Sequence, residues 1–402
     1  MPSRPRWLNV VAALCALTLV AGVLAVFARP RRADEASVRV RAAGSPRPPG
    51  PAGPASARGP AAGAPSTGSA PPRAAGATAG TGTTAVAGAT AVAGATGPAN
   101  TGPAIGGAAT LSVPAPPVVA DANHRWAVGT ESLTFVDTSR RTPAAGGDPG
   151  EAFRSLPTVI RYPVDGPANG AETPGGAGSR LGRPFPLIVF AHGYDTTPGA
   201  YAALLHNWAG AGYVVAAPSF PRATAGGPLA EGDVDNQPGD LSFVITQVLA
   251  APSLAGLVDG GHLGVAGHSD GASTTAGVGY NSCCKDSRLA ADAVMEGDEH
   301  RYPGSWFPAG PAPALLVIQA DHDALNPPAL GRAVYDGGSS PKYLLWLLNA
   351  QHLEPYTSDA AHLGVVEAVT TAFFDRYLKG RVDSVAAMRS AAAPGLATLT
   401  SG

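Results

Sequence analysis

Cysteine, methionine, aromatic residues and charge are all scarce in this chain of 402 residues. Its three cysteines offer no cluster at a recognisable ligand spacing, so we expect no metal site. Charged residues make up 14% of the chain and the formal net charge is −2, with no basic stripe. This balance argues against a nucleic-acid partner and favours a neutral or small-molecule one.

Aromatic residues are absent from one long stretch of the sequence. None lies between Phe27 and Trp126, and most of the residues between them are Ala, Gly or Pro. Such a segment cannot bury enough apolar surface to offset the entropy that is lost on ordering. We therefore predict a disordered Ala/Gly/Pro-rich linker over residues 31–121, one α/β domain over residues 122–382, and a flexible tail over residues 383–402.

The N-terminus carries an apolar run over residues 7–28, which Arg4 and Arg6 precede. The run is long enough to span a bilayer as an uncleaved anchor, which is the interpretation we favour. Its last three residues also suit the cleavage site of a signal peptide, so both interpretations of residues 1–30 stay open. Either way we expect an extracytoplasmic domain, membrane-anchored through residues 7–28 or secreted, with the linker as a spacer. A domain that faces the cytoplasm on the same anchor is the alternative.

Cys283 and Cys284 are adjacent and are the only cysteines of the predicted domain. In an oxidising compartment they can close a vicinal disulfide. Two unpaired thiols are an equally good interpretation of the sequence.

Alternating or continuously apolar runs predict strands over residues 131–137, 156–164, 186–191, 213–217, 262–266, 291–295, 314–319 and 343–348. Helical spacing predicts helices over residues 200–211, 240–250, 270–280 and 358–379, with Asp240 and Ser358 as N-terminal caps. Strands that alternate with helices indicate a mainly parallel sheet covered by helices on both faces. The active site of such a sheet lies beyond the carboxyl ends of its strands.

The most informative stretch is Val265-Ala266-Gly267-His268-Ser269-Asp270-Gly271. It predicts a buried strand, a sharp turn with one serine at its tip, and a helix rich in small residues. Glycines two residues on either side of a serine are typical of a nucleophile elbow, because they let strand and helix pass closely beneath a strained turn. The plain alternative is a tight turn in an ordinary α/β domain.

A serine nucleophile needs a base to take its proton and an acid to hold that base. Partners follow Ser269 in the order acid, then histidine, each just after a predicted strand. We assign the acid to Asp323 and the base to His352. Asp321 and Asp298 are the alternative acids. Among the other histidines, His362 falls early in the last helix, His322 neighbours both acids of its loop, and His268 is directed away from the serine by the turn.

Attack on a carbonyl also requires donors for the oxyanion. One donor is expected to be the backbone N–H of Asp270, directly after the nucleophile. For the other we choose the N–H of Tyr194, in the loop His192-Gly193-Tyr194 that ends an early strand. An ordinary turn at the strand end is the alternative for that loop. Aromatic residues between residues 296 and 313 are expected either to line the substrate pocket or to cover an edge of the core.

These motifs resemble the α/β-hydrolase superfamily over about residues 126–380. The resemblance rests on Leu133-Thr134-Phe135-Val136-Asp137-Thr138-Ser139-Arg140, Leu156-Pro157-Thr158-Val159-Ile160-Arg161-Tyr162-Pro163, Phe190-Ala191-His192-Gly193-Tyr194, Asn236-Gln237-Pro238-Gly239-Asp240, the stretch around Ser269, Asp323 with Pro327, and His352. Within the superfamily the chain is similar to the branch of dienelactone hydrolases, chlorophyllase-like and platelet-activating-factor-acetylhydrolase-like esterases, and cutinase-like polyester hydrolases. Dienelactone hydrolases carry a cysteine nucleophile, and polyester hydrolases tend to have other residues at the position of Asp270, so neither activity is transferred.

The resemblance implies a serine hydrolase of carboxylic esters that needs no cofactor and acts on a small-molecule or polymeric ester. We expect it to act as a monomer, through an acyl-enzyme on Ser269. The first alternative is a non-catalytic surface binding module on a hydrolase scaffold. The second is a structural protein of the cell wall, in which the linker performs the function and the domain is an anchor.

Overall fold

A computed structural model of the protein describes residue 121 and residues 123–402. The predicted anchor or signal peptide over residues 1–30 lies outside these residues, as does the predicted linker apart from Asp121. Among the residues described, no helix combines the length and the apolarity needed to cross a bilayer.

The domain is built around one sheet of ten strands. These are β1 (Ala127–Asp137), β2 (Arg154–Val164), β3 (Thr173–Pro174), β4 (Phe185–Ala191), β5 (Val214–Pro218), β6 (Val258–His268), β7 (Leu289–Met295), β8 (Ala314–Ala320), β9 (Lys342–Leu347) and β10 (Ala397–Ser401). Their spatial order is β10-β9-β8-β7-β6-β4-β5-β2-β1-β3. The six central strands, from β9 to β5 in that order, are parallel. Strand β2 pairs antiparallel with β5 and β1, β10 pairs antiparallel with β9, and the short β3 pairs parallel with β1. The predicted mainly parallel sheet is confirmed.

Seven α-helices lie between or after these strands in the described part of the chain. They are α1 (Ala202–Gly210), α2 (Gln237–Ala250), α3 (Asp270–Tyr280), α4 (Pro328–Gly337), the single turn α5 (Glu354–Thr357), α6 (Ala360–Leu378) and α7 (Ser384–Ala391). Apolar side chains of α1, α6 and α7 share one core cluster with the sheet, whereas those of α2, α3 and α4 belong to two other clusters. Helices therefore cover both faces of the sheet.

Strand β4 shows why a continuous apolar run forms a central strand. All seven of its residues are buried. Ile188 and Phe190 pack with α1 and α6, while Leu187 and Val189 pack with α2. Because successive side chains of a strand point to opposite faces, only a run that is apolar at every position satisfies both helix layers.

The end of the chain differs from the prediction. Residues 383–402, predicted to be a flexible tail, form α7 and the edge strand β10, which pairs antiparallel with β9. Met388 is fully buried and Ala397 nearly so. The small residues of this segment carry too little periodicity to reveal that it completes the sheet edge.

Both predicted N-terminal caps are wrong. Asp359, not Ser358, caps α6, and its carboxylate accepts from the N–H groups of Ala361 and His362. Asp240 lies inside the first turn of α2, fully buried, and pairs with the equally buried Arg154 at 2.6 Å. A second carboxylate, Asp233, binds the same guanidinium at 2.8 Å. A buried arginine needs such partners, and this pairing ties β2 to the start of α2.

Candidate active site

The turn after β6 holds Ser269 in a strained conformation, with φ 58° and ψ −126°. A Cβ on Gly267 would lie 2.1 Å from the Gly271 carbonyl oxygen, and a Cβ on Gly271 would lie 2.1 Å from that of Ala191. Both approaches are far inside van der Waals contact, so only glycine fits at either position. The Ser269 N–H donates to Met295 O at 2.9 Å and fixes the turn to the end of β7. The predicted elbow is thereby present in the fold.

The structure brings Ser269, His352 and Asp323 together in the predicted order. The Ser269 Oγ lies 2.9 Å from His352 Nε2, and His352 Nδ1 lies 2.6 Å from Asp323 Oδ2. Asp323 follows β8 and His352 follows β9, so both approach Ser269 from the carboxyl ends of neighbouring strands. With its Nδ1–H donated to the carboxylate, the imidazole presents an unprotonated Nε2 to the serine hydroxyl.

The alternative acids have other partners. Asp321 Oδ1 accepts from the Ala350 N–H at 3.2 Å, and Asp298 Oδ1 accepts from the Ser273 hydroxyl at 2.6 Å. Neither carboxylate is hydrogen-bonded to His352. In the described part of the chain, Asp323 is the only acid in contact with that ring.

Asp323 is held in its ionised form. Burial would raise the pKa of its carboxyl, but the hydrogen bonds from His352 and from the Asn326 N–H outweigh it and lower the pKa. The second oxygen accepts from the N–H groups of Leu325 and Asn326 at 2.8 and 2.9 Å. These bonds fix the carboxylate, which lets it orient the histidine.

Glu296, the residue after β7, is a part of the site that the sequence analysis missed. It is fully buried, and its Oε1 accepts from the Tyr356 hydroxyl at 2.6 Å and from the Ala320 N–H at 2.8 Å. Burial raises the pKa of its carboxyl well above the usual value, and the neighbouring Asp323 carboxyl raises it further. The raised pKa favours the protonated form of Glu296, which can donate to Asp323. The sequence does contain a signal for Glu296, because it directly follows a predicted strand, the position at which site residues are expected.

The loop after β4 lies against the nucleophile. A Cβ on Gly193 would be 3.1 Å from Ser269 Cβ, a contact so tight that it would push the loop and the serine apart by a few tenths of an ångström. Gly193 O accepts from His192 Nδ1 at 2.8 Å and from the Thr196 hydroxyl at 2.8 Å. The same peptide unit carries the Tyr194 N–H, so pinning the carbonyl also fixes the direction of that donor.

His192 holds this loop as a neutral ring. Burial lowers the pKa of its imidazole to about 4. The Phe220 N–H donates to its Nε2 at 3.2 Å, which leaves the ring proton on Nδ1 for Gly193 O. The N–H groups of Tyr194 and Asp270, the two expected oxyanion donors, have no acceptor among the described residues.

Asp270 places an adjustable charge beside Ser269. Burial, together with the nearby carboxylates of Glu231 and Asp298, raises the pKa of its carboxyl to about 6. Its Oδ2 is buried with no hydrogen-bond partner among the described residues. The side chain therefore changes from neutral to anionic as the pH rises through about 6.

The aromatic residues after Glu296 pack largely against the core. Tyr302 is buried against His300 and Trp306, and Trp306 and Phe307 lie over the cluster formed by α3, α4 and the strands beneath. The Trp306 ring N–H donates to His300 O at 3.2 Å. These contacts fit the second of the two expectations, an aromatic cover on a core edge.

No protein-family model and no curated protein matches this chain in sequence. Among solved structures, the chain is similar to a ferulic acid esterase from Streptomyces cinnamoneus, with a TM-score of 0.52 and 22% sequence identity. The similarity covers 66% of this chain and 94% of the esterase. At this identity the comparison establishes a shared fold, and the mixed sheet with helices on both sides is consistent with the α/β-hydrolase fold.

Proposed function

We propose that this protein is a serine hydrolase of carboxylic esters that works through an acyl-enzyme on Ser269. One observation carries the proposal: a strained serine lies 2.9 Å from His352, which lies 2.6 Å from Asp323. This is the arrangement that converts a serine hydroxyl into a nucleophile at neutral pH. The shared fold with an esterase supports it.

The mechanism follows from the hydrogen bonds. Ser269 Oγ attacks the ester carbonyl while His352 Nε2 takes its proton. Asp323 stabilises the resulting imidazolium, which then gives the proton to the departing alcohol as the acyl-enzyme forms. Water, deprotonated by the same nitrogen, attacks the acyl carbon, and the proton returns to Ser269 as the acid is released.

Two backbone donors are proposed to stabilise the oxyanion of each tetrahedral intermediate. The Asp270 N–H opens α3 directly after the nucleophile, and the Tyr194 N–H lies in the loop that His192 and Thr196 hold. Losing one such donor typically costs about 10²–10³ in rate. Backbone donors cannot be deleted by mutation, so the loop is tested through Thr196→Val, which removes one of the two bonds to Gly193 O.

The rival interpretation is a binding module without activity. Such a module has no need of a serine in a strained turn or of a histidine within hydrogen-bonding distance of it. The contact of 2.9 Å between Ser269 and His352 therefore favours the enzyme.

The test is labelling of the full chain with a fluorophosphonate, followed by peptide mapping. We expect the label on Ser269 and its loss in His352→Ala. The exposed His322, in the acid's loop, supplies the matched control His322→Ala, which should label like the wild type. A folded chain that takes no label would refute the proposal and favour the binding module.

If the fluorophosphonate labels Ser269, the next experiment compares esters that differ in the shape of the acyl group. The structural neighbour is described as a ferulic acid esterase, so we include methyl ferulate beside short and long alkyl esters of p-nitrophenol. Turnover of the aromatic acyl ester above the alkyl esters would assign a cinnamoyl-type substrate, whereas the reverse order would assign an aliphatic one.

We further propose that the domain acts outside the cytoplasm, tethered through residues 7–28 or released by cleavage. The bond between Cys283 and Cys284 supports an oxidising compartment. Fractionation of expressing cells, with N-terminal sequencing of the mature chain, separates anchor from signal peptide. Intact chain in the cytosol with both thiols free would contradict this placement.

A further inference from the structure

His268 lies directly before the nucleophile and is 1% exposed. Its ring makes two polar contacts. Nε2 lies 2.6 Å from the backbone oxygen of His352, and Nδ1 lies 2.8 Å from the Tyr201 hydroxyl. A neutral imidazole has one donor and one acceptor nitrogen, so these two contacts satisfy its hydrogen-bonding capacity.

These partners settle which nitrogen carries the proton. A carbonyl oxygen can only accept, so the nitrogen facing His352 O must be Nε2–H. Nδ1 is then unprotonated and accepts from the Tyr201 hydroxyl. The reverse assignment would place a lone pair against the His352 carbonyl at 2.6 Å, which is repulsive.

The packing around the ring enforces the same state. His268 lies between the rings of His352 and Tyr356, with centroids 4.7 and 4.8 Å away. Burial, with the nearby His352 ring, lowers the pKa of His268 to about 3. A charge on this ring would destabilise the imidazolium that His352 must form, so a neutral ring is required here.

We propose that His268 is a positioning residue that sets the distance between nucleophile and base. Its backbone belongs to the turn that carries Ser269, and its side chain donates a hydrogen bond to the main-chain oxygen of His352. One residue thus joins the two loops on which the 2.9 Å contact between Ser269 Oγ and His352 Nε2 depends. The inference rests on the proposed function. It gives His268 a role that is exerted through Ser269 and His352 and not through contact with the substrate.

The test compares three variants of the full chain. His268→Phe keeps the ring volume and removes both polar contacts, and we expect kcat to fall about 10- to 100-fold with KM within about threefold, since small misplacements of reacting groups have costs of that order. His268→Gln restores an N–H donor near the position of Nε2 and should recover most of that loss. Tyr201→Phe removes only the hydroxyl that donates to Nδ1, and a several-fold loss is expected.

His362→Gln is the matched control. His362 is also buried, and its Nε2 lies 3.0 Å from a backbone oxygen, that of Leu348. It is not attached to the nucleophile turn, so its replacement should lower the denaturation midpoint and leave kcat within about threefold. If His268→Phe and Tyr201→Phe lower only the midpoint and not kcat, His268 is a structural residue and the proposal is wrong.

A second readout keeps this test separate from the proposed function. Long-range ¹H–¹⁵N spectra of chain labelled in histidine report the tautomer of His268 whether or not the protein hydrolyses esters. We expect a neutral ring protonated at Nε2 from pH 5 to pH 8, in the wild type and in Tyr201→Phe alike, because the His352 carbonyl requires the Nε2 proton in both. A cationic ring, or a proton on Nδ1, would overturn the inference. Failure of Ser269 to take the fluorophosphonate would instead remove the enzymatic function and leave the tautomer result standing.

Discussion

Glu296 and Asp323 hold their carboxyl groups in hydrogen-bonding contact at the carboxyl ends of β7 and β8. One of the two must keep a proton, since two adjacent anions in a buried site repel strongly. The raised pKa of Glu296 and the lowered pKa of Asp323 place the proton on Glu296 and the charge on Asp323, which accepts from His352. The acid of the site is thus supported by a second acid that stays neutral.

Replacing Asp323 should remove the orientation of the base. In Asp323→Asn the side chain no longer stabilises the imidazolium and can turn an N–H toward His352, so kcat is expected to fall about 10³- to 10⁴-fold, as for the corresponding change in serine proteases. The measurement is hydrolysis of p-nitrophenyl acetate. Asp321→Asn lies two residues away, and among the described residues its carboxylate accepts only from the Ala350 N–H, so this variant should retain activity within about threefold. Equal losses of kcat in both variants would mean that activity depends on the conformation of the loop and not on the Asp323 carboxylate.

Glu296→Gln tests whether that carboxyl is neutral. The amide oxygen can accept from the Ala320 N–H and the Tyr356 hydroxyl, and the amide nitrogen can donate to Asp323 in place of the carboxyl proton. Gln319 Nε2, which donates to Glu296, keeps the Ala320 and Asn326 carbonyl oxygens as acceptors. Activity should therefore stay within about threefold. Glu296→Ala, which leaves the buried donors unpaired, should cost about 2–4 kcal/mol of stability.

The same Gln variant should change how stability depends on pH. Because the pKa of Glu296 is raised in the folded state, the unfolded chain releases this proton first, so its contribution to stability declines as pH rises above the ordinary value of 4.5. Gln has no proton to lose. In urea denaturation, the free energy of unfolding of Glu296→Gln should rise relative to that of the wild type between pH 5 and pH 8. The exposed Glu151→Gln should show no such gain, and a parallel pH response in all three proteins would show that Glu296 ionises normally.

Asp270 should make substrate preference depend on pH. Below about pH 6 its carboxyl is neutral, and above it a negative charge lies beside Ser269. At pH 8, Asp270→Asn should lower the kcat/KM ratio of a choline ester to its uncharged 3,3-dimethylbutyl analogue by about fivefold, the effect of a charge interaction of about 1 kcal/mol. At pH 5 the two proteins should agree. Asp336→Asn, on the exposed side of α4, is the control, and a ratio that Asp270→Asn leaves untouched at pH 8 would contradict the assignment.

Gly271→Ala should prevent the elbow from forming. The added methyl would lie 2.1 Å from the Ala191 carbonyl oxygen, which is main chain and cannot rotate away. We expect a loss of more than about 3 kcal/mol in the free energy of unfolding. Gly364→Ala, in α6 with no atom within 4 Å of the new methyl, should instead stabilise the protein by about 0.5–1 kcal/mol. Urea denaturation compares the two, and a similar midpoint for both would show that the turn can relax.

The local signals of the sequence determined most of the sheet and the choice of candidate catalytic residues. Continuous apolar runs such as that of β4 predicted the central strands, because a strand covered on both faces must be apolar at every position. Ser269, Asp323 and His352 could be chosen because each follows a buried strand in a fixed order. A parallel sheet brings such positions to one edge, so order along the chain becomes proximity in space.

Tertiary structure alone decided the parts that depend on burial and on partners far away in sequence. Glu296 and His268 look like ordinary polar residues in the sequence, and only burial and packing against Tyr356, Tyr201 and His352 shift their pKa values and fix their hydrogen bonds. The end of the chain, with its small residues, became α7 and β10 because the open edge of β9 offered backbone partners. Sequence patterns record which face a residue prefers, whereas charge state and hydrogen-bond direction come from neighbours that only the folded chain assembles.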